Sequence, residues 1–176
     1  MVTSEASALR TVRSIVLPGV GSFARGMRNL RERGLDVALS EQVLGQRVPF
    51  LGICLGMQLL ATIGTEGGDE AGLGWIQGRV ERMRAVSDER IPHVGWNEVN
   101  AVGSSSLIDA SLSGNDFYFV HGYILKCSSE SDVLATTPYC GGFASIVGRD
   151  NIIGVQFHPE KSQKAGFRLL TNFLAR

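Results

Sequence analysis

Apolar positions along the chain follow two rhythms. In the front half, short β-branched runs alternate with segments whose apolar residues recur every three or four positions. In the back half the runs are nearly all strand-like. SIVL at 14–17 predicts a buried strand that stops at Pro18. PGVG follows as a tight turn, read either as a plain strand-ending loop or as a pair of backbone donors for an oxyanion. Residues 22–33 predict a helix with Phe23, Met27 and Leu30 on one face and Gly34 as its C-terminal cap, and 35–44 predict a second helical piece. VPFLGI at 48–53 predicts a strand that runs directly into a helix through Ala61.

The glycine-rich, acidic segment GTEGGDEAGLG at 64–74 reads as a flexible surface loop. A phosphate cradle is the other reading, but no Lys follows at P-loop spacing. Residues 75–80 and 92–99 read as short strands, and 104–112 as a helical turn or two. FYFVHGYIL, DVLATT, FASIV and NIIGVQF are strands separated by Gly, Asp, Asn and Ser. The final segment, 163–174, predicts an amphipathic helix with Phe167, Leu170 and Leu174 facing inward. Strand–helix alternation followed by strands and a last helix implies an α/β fold. Its sheet would be partly parallel with an antiparallel extension, flanked by helices, in one domain over 1–176.

Composition narrows the chemistry. The 176 residues are enough for one sizeable core, with 44% apolar and 19% charged residues. Lys plus Arg and Asp plus Glu both number 17, so neither a nucleic-acid footprint nor an acidic tail is expected. No apolar run approaches the ~20 residues that cross a membrane, and the start lacks the apolar core of a signal peptide. Three cysteines without paired spacing point to a reduced, cytoplasmic setting. Neither CxxC nor HExxH occurs, so no metal and no cofactor is expected.

Chemistry concentrates at 48–58, VPFLGICLGMQ. A strand entering a helix through a glycine-flanked turn is a nucleophile elbow, which pushes the Cys54 side chain above the sheet edge. Gly52 and Gly56 leave room for the close approach. The helix N-terminus is expected to favour the thiolate. A second segment, IIGVQFHPEKS at 152–162, carries His158 with Glu160 two residues on. In extended chain, i and i+2 point to the same side, so Glu160 can fix the tautomer of His158 and leave its other nitrogen for Cys54. Each residue alone reads as structural; together they form a Cys–His–Glu arrangement for nucleophilic acyl transfer.

PGVG, GICLGMQ, HVGWN, FYFVHGY and GVQFHPEKS, in that order, resemble the class I (triad) glutamine amidotransferases, whose sheet is flavodoxin-like. Within them the chain is most similar to the glutaminase subunits of imidazole glycerol phosphate synthase. The resemblance runs from Ser14 to Arg176. It implies that Cys54 attacks the side-chain amide of L-glutamine, with His158 as base and acid and Glu160 as orienter. Oxyanion donors would be the N–H of Leu55 and a peptide N–H within Gly19, Val20 and Gly21, beside Gly52. Gln58, His121, Gly122 and Tyr123 would hold the glutamine, with Gly122 standing where relatives carry Ser or Thr. The ammonia would pass, in a heterodimer, to a synthase (cyclase) subunit of (β/α)8-barrel type in histidine biosynthesis. Trp96, Asn97, Tyr118 and Lys161 match the docking face, although two half-buried aromatics and a solvated charge are their ordinary reading.

A paralogous glutaminase that feeds a sugar amidotransferase shares these motifs. A non-catalytic partner-binding domain and a hydrolase acting on folate polyglutamates or peptides are further alternatives. Members of the family also begin with a strand and helix ahead of the segment that matches PGVG. Only 17 residues precede Pro18 here and none reads as that pair. Either the start lies upstream of Met1 or the chain is a shortened form, and a hydrophobic sheet edge is expected to be left uncovered.

Overall fold

A computed structural model describes residues 1–102 and 109–175. The chain opens with a 3-10 turn, Ala6–Thr11, and then β1 (Ile15–Gly19). Next come α1 (Phe23–Glu32), α2 (Leu35–Ser40), a π turn (Glu41–Gly45), β2 (Phe50–Cys54) and α3 (Leu55–Gln58). Strands β3 (Ile63–Gly64), β4 (Glu70–Ala71), β5 (Gly78–Arg82), β6 (His93–Ala101), β7 (Asn115–His121) and β8 (Tyr123–Cys127) follow. The chain ends with β9 (Val133–Thr137), β10 (Phe143–Arg149), β11 (Ile152–Val155) and α4 (Gln163–Leu174).

Seven strands form one sheet in the order β1-β2-β11-β10-β9-β6-β7, and four form a smaller one in the order β4-β3-β5-β8. β1, β2 and β11 run parallel, and the remaining neighbours of the large sheet are antiparallel, which is the mixed α/β sheet expected. The parallel trio must be buried on both faces, and β2 and β11 are wholly buried. One core cluster lies toward α1 and α3 and includes Phe23, Met27, Leu30, Met57 and Leu60. The other lies toward α4 and includes Phe117, Phe119, Phe157, Leu169 and Phe173.

Several expectations need correction, each for a local physical reason. β1 runs through Pro18 to Gly19. It pairs only with β2 among the described residues, and a strand at a sheet edge loses nothing by lacking one N–H. α3 is four residues, not seven, because the carbonyls of Leu59, Leu60 and Ala61 turn outward to accept N–H groups from Leu73, Ile76 and Gly74. Residues 64–74 are therefore built into the fold rather than a loose loop. They contribute to β3 and β4, and a Cβ on Gly72 would strike the Ala61 carbonyl. The strand expected at 75–80 begins only at Gly78, with Trp75 and Ile76 buried in the turn before it.

FYFVHGYIL is two strands. Gly122 breaks it, sending β7 into the large sheet and β8 into the small one. α4 occupies its expected span but turns a different face inward: Gly166, Leu169 and Phe173 are buried, whereas Phe167 and Leu174 are exposed. Gly166 decides the face, since a Cβ there would collide with the Pro159 carbonyl. Of the helical turn expected at 104–112, residues 103–108 lie outside the described residues, and Ala110–Leu112 forms a 3-10 turn.

Val16 of β1 is 40% exposed. A groove of about 580 Å³ lined by Leu9, Val12, Leu17 and Leu30 runs beside β1. Leu9 of the first turn is buried against the core cluster on that face.

Candidate active site

The elbow is built as its glycines require. Cys54 has φ 54° and ψ −108°, a backbone that costs about 1–3 kcal/mol in a residue with a Cβ. It is held there because β1, β2 and α3 pack almost backbone on backbone. A Cβ on Gly56 would strike the Leu17 carbonyl, and one on Gly52 would strike the Gly56 backbone. Gly52 thus sits behind the elbow and does not line the cleft, which corrects its expected place among the substrate contacts. Gly19 likewise pairs with Cys54 across the sheet, leaving Val20 and Gly21 as the part of PGVG that faces the cleft.

That cleft encloses about 470 Å³ and is lined by Cys54, Leu55 and Gln58 on one side and by His121, Gly122 and Tyr123 on the other. The break at Gly122 makes this wall, since the chain leaves one sheet and enters the other there. The Gly122 carbonyl accepts Met83 N–H, so it is engaged within the protein. A Cβ built on Gly122 meets nothing closer than 3.8 Å, so a serine would fit.

His158 is 6% exposed. Its Nδ1 lies 2.9 Å from Glu160 Oε1, while its Nε2 is buried and has no hydrogen-bond partner among the described residues. Its backbone is clamped: His158 N–H donates to the Tyr118 carbonyl, and Ser162 Oγ donates to the His158 carbonyl while accepting Tyr118 N–H.

The helix-terminus expectation for Cys54 is overturned in the resting protein. Burial pushes its thiol up to about 11, against the lowering effect of the Leu55 N–H, while the charge of Glu160 raises it further and Gln156 lowers it. A helix of one turn has little dipole to offset burial. Burial thus favours the thiol form of Cys54 at rest.

Trp96 and Tyr118 are cross-strand partners on β6 and β7, their rings 5.9 Å apart, with Lys161 Nζ 5.4 Å from the Tyr118 ring. Val94 and Val120 extend this exposed apolar face. Asn97 does not join them. Strand alternation turns it to the opposite side, where Nδ2 lies 3.4 Å from His93 Nε2. His93 and His121 form a buried pair, with His93 Nδ1 3.3 Å from His121 Nε2 and His121 Nδ1 2.9 Å from the Tyr123 carbonyl.

Three residues near the site escaped the sequence reading. Glu66, from the supposed loop, lines the cleft and accepts Phe23 N–H, so it caps α1 from across the fold. Ser162 clamps the histidine loop. Gln156 approaches the sulfur, with Nε2 3.8 Å from Cys54 Sγ. Gln156 directly follows β11, while Glu160 reaches His158 from a 3-10 turn, Pro159–Lys161, and not from extended chain as expected.

Cys54 ends β2, and His158, its ring paired with Glu160, follows the neighbouring strand β11. The chain belongs to the family Glutamine amidotransferase class-I, whose model matches residues 3–176. It is similar to imidazole glycerol phosphate synthase subunit HisH 2 of Methanococcus maripaludis, with 42% identity over 99% of this chain and 86% of that one. It is also similar to subunit HisH 1 of Campylobacter jejuni, with 46% identity over 94% of this chain and 82% of that one. Among solved structures, a glutamine amidotransferase of Thermotoga maritima shares the fold, with TM-score 0.63 and 21% identity over 93% of this chain and 61% of that one. No helix among the described residues is long and apolar enough to cross a membrane.

Proposed function

We propose that this chain is the glutaminase subunit of an imidazole glycerol phosphate synthase. It hydrolyses glutamine to glutamate and ammonia and passes the ammonia to a cyclase subunit in histidine biosynthesis. The observation that carries this reading is the match to such subunits, 42% and 46% identical over 99% and 94% of the chain. The geometry supports the chemistry. His158 Nε2 takes the Cys54 proton as Sγ attacks the side-chain amide carbon of glutamine, and Glu160 holds the resulting imidazolium. The Leu55 N–H and the Val20–Gly21 segment face the developing oxyanion. His158 then protonates the departing nitrogen, which leaves as ammonia. Water activated by His158 cleaves the thioester and releases glutamate.

Both N–H groups of Gln58 are used within the protein. It therefore offers its carbonyl to the α-ammonium of the substrate, and Glu66 supplies the complementary charge. The Val94, Val120, Trp96, Tyr118 and Lys161 face seats the (β/α)8-barrel cyclase. Tyr118 is well placed to couple docking to chemistry, because its own backbone carbonyl and N–H hold the His158 loop. The setting is the cytoplasm, which suits three unpaired thiols.

The test is glutamate release by the chain alone and with a cyclase partner and its acceptor. Weak activity alone and a large rise in the complex are expected. Activity that survives Cys54→Ala would overturn the mechanism, and a response to a sugar amidotransferase but not to the cyclase would overturn the pathway.

A further inference from the structure

We propose that Gln156 is a further catalytic residue, a fixed hydrogen-bond donor to the nucleophilic sulfur, oriented by Gln58 and the Tyr123 carbonyl. The proposal rests on Cys54 being the nucleophile of a glutaminase.

An amide side chain can present either its oxygen or its nitrogen to a neighbour, so its role depends on what fixes its direction. Here the direction is fixed from a backbone group. The Tyr123 carbonyl can only accept, and it lies 3.0 Å from Gln58, so the Gln58 atom facing it is Nε2. The second hydrogen on that nitrogen points to Gln156, 3.1 Å away, so the Gln156 atom facing Gln58 is Oε1. The remaining end of Gln156 is then Nε2, and it lies 3.8 Å from Cys54 Sγ. Gln156 is completely buried and Gln58 is 5% exposed, so reversing either amide would oppose like groups where no water can compensate.

A donor aimed at sulfur favours the thiolate over the thiol. It therefore opposes the burial that keeps Cys54 protonated at rest, and it follows the charge that develops when the proton passes to His158 Nε2. Gln58 joins this donor to the cleft. The residue whose carbonyl faces the substrate is the one that keeps the Gln156 amide pointed at the sulfur.

The test reads the thiol directly, apart from turnover. Iodoacetamide alkylation of Cys54 is followed against pH by mass spectrometry of its peptide, which separates it from Cys127 and Cys140. Gln156→Met keeps the side-chain length and removes the donor. The alkylation midpoint is expected to rise by roughly one pH unit, and kcat to fall about tenfold with KM nearly unchanged. A folded Gln156→Met protein with the wild-type midpoint would overturn the proposal. Should that variant not fold, Gln58→Met decides. It frees the Gln156 amide without altering residue 156, a smaller upward shift is expected, and an unchanged midpoint would overturn the proposal equally. A wild-type protein that alkylates normally but never hydrolyses glutamine would instead remove the proposed function and leave the contact standing.

Discussion

His158 and the His93–His121 pair are equally buried, at 6%, 3% and 6% exposure, yet their rings are wired in different ways. His158 has a carboxylate on one nitrogen and nothing on the other. In the pair every ring nitrogen is engaged: Asn97 donates to His93, His93 to His121, and His121 to the Tyr123 carbonyl. His93 is also stacked between Phe119 and Tyr139, with ring centroids at 4.9 and 4.0 Å. No carboxylate contacts either member of the pair among the described residues, and burial pushes both down to about 4. Burial alone therefore makes a neutral spacer. A base additionally needs a carboxylate to accept its charge and a nitrogen left open for the substrate side.

The sharpest way to break this comparison is at the open nitrogen. His158→Gln is expected to lower glutamate release by about a thousandfold or more. Melting should change little, since Nε2 has no partner to lose and the Nδ1 contact is to Glu160, whose side chain is 52% exposed. Near-normal turnover would strip His158 of its role. Glu160→Gln comes next, with a loss of about a hundredfold. Its side chain is 52% exposed, so calorimetry should again find little change.

His121→Phe should show the reverse signature. It orphans a buried His93 N–H and removes one donor from the Tyr123 carbonyl, which costs about 1–3 kcal/mol of stability. A lowered melting temperature with turnover reduced less than either triad variant is expected, and a collapse of kcat at unchanged stability would contradict the spacer role. The smallest effect is in acid. The folded pair protonates only near pH 4, whereas the unfolded chain does so near 6.5. The unfolded state therefore binds more protons inside that window, and stability falls as pH drops from about 6.5 to about 4. The melting temperature of His93→Phe, His121→Phe should lose less across this range than that of the wild type.

The elbow and the His158–Glu160 contact were legible because each lies within a short segment, although Glu160 reaches the ring from a 3-10 turn, Pro159–Lys161, and not through extended-chain alternation. The mixed sheet was legible from the change of rhythm along the chain. What was not legible depends on contacts between distant segments. The inward face of α4 was chosen by Gly166 against the Pro159 carbonyl, and residue type alone favoured Phe167 and Leu174. The length of α3 was set by N–H groups arriving from 73–76. The resting state of Cys54 was misjudged because a helix terminus can be read from spacing, whereas the depth of burial cannot. Asn97 sits one residue from Trp96, and only the pleat separates the docking face from the histidine pair.

β2 has a hydrogen-bonded strand on each side, while β1 beyond it has one neighbour among the described residues. In terms of amide exchange, the backbone of β2 belongs to the slow core, and the outward amides of β1 exchange with little protection. The reactive thiol therefore sits one strand from the boundary between slow and fast exchange. Gly19 pairs with Cys54, and Gly56 presses on the Leu17 carbonyl. Opening of β1 would thus relax the elbow, whereas opening of β7 at the opposite edge would leave these contacts in place. The geometry of the elbow is therefore tied to how firmly this one strand is held.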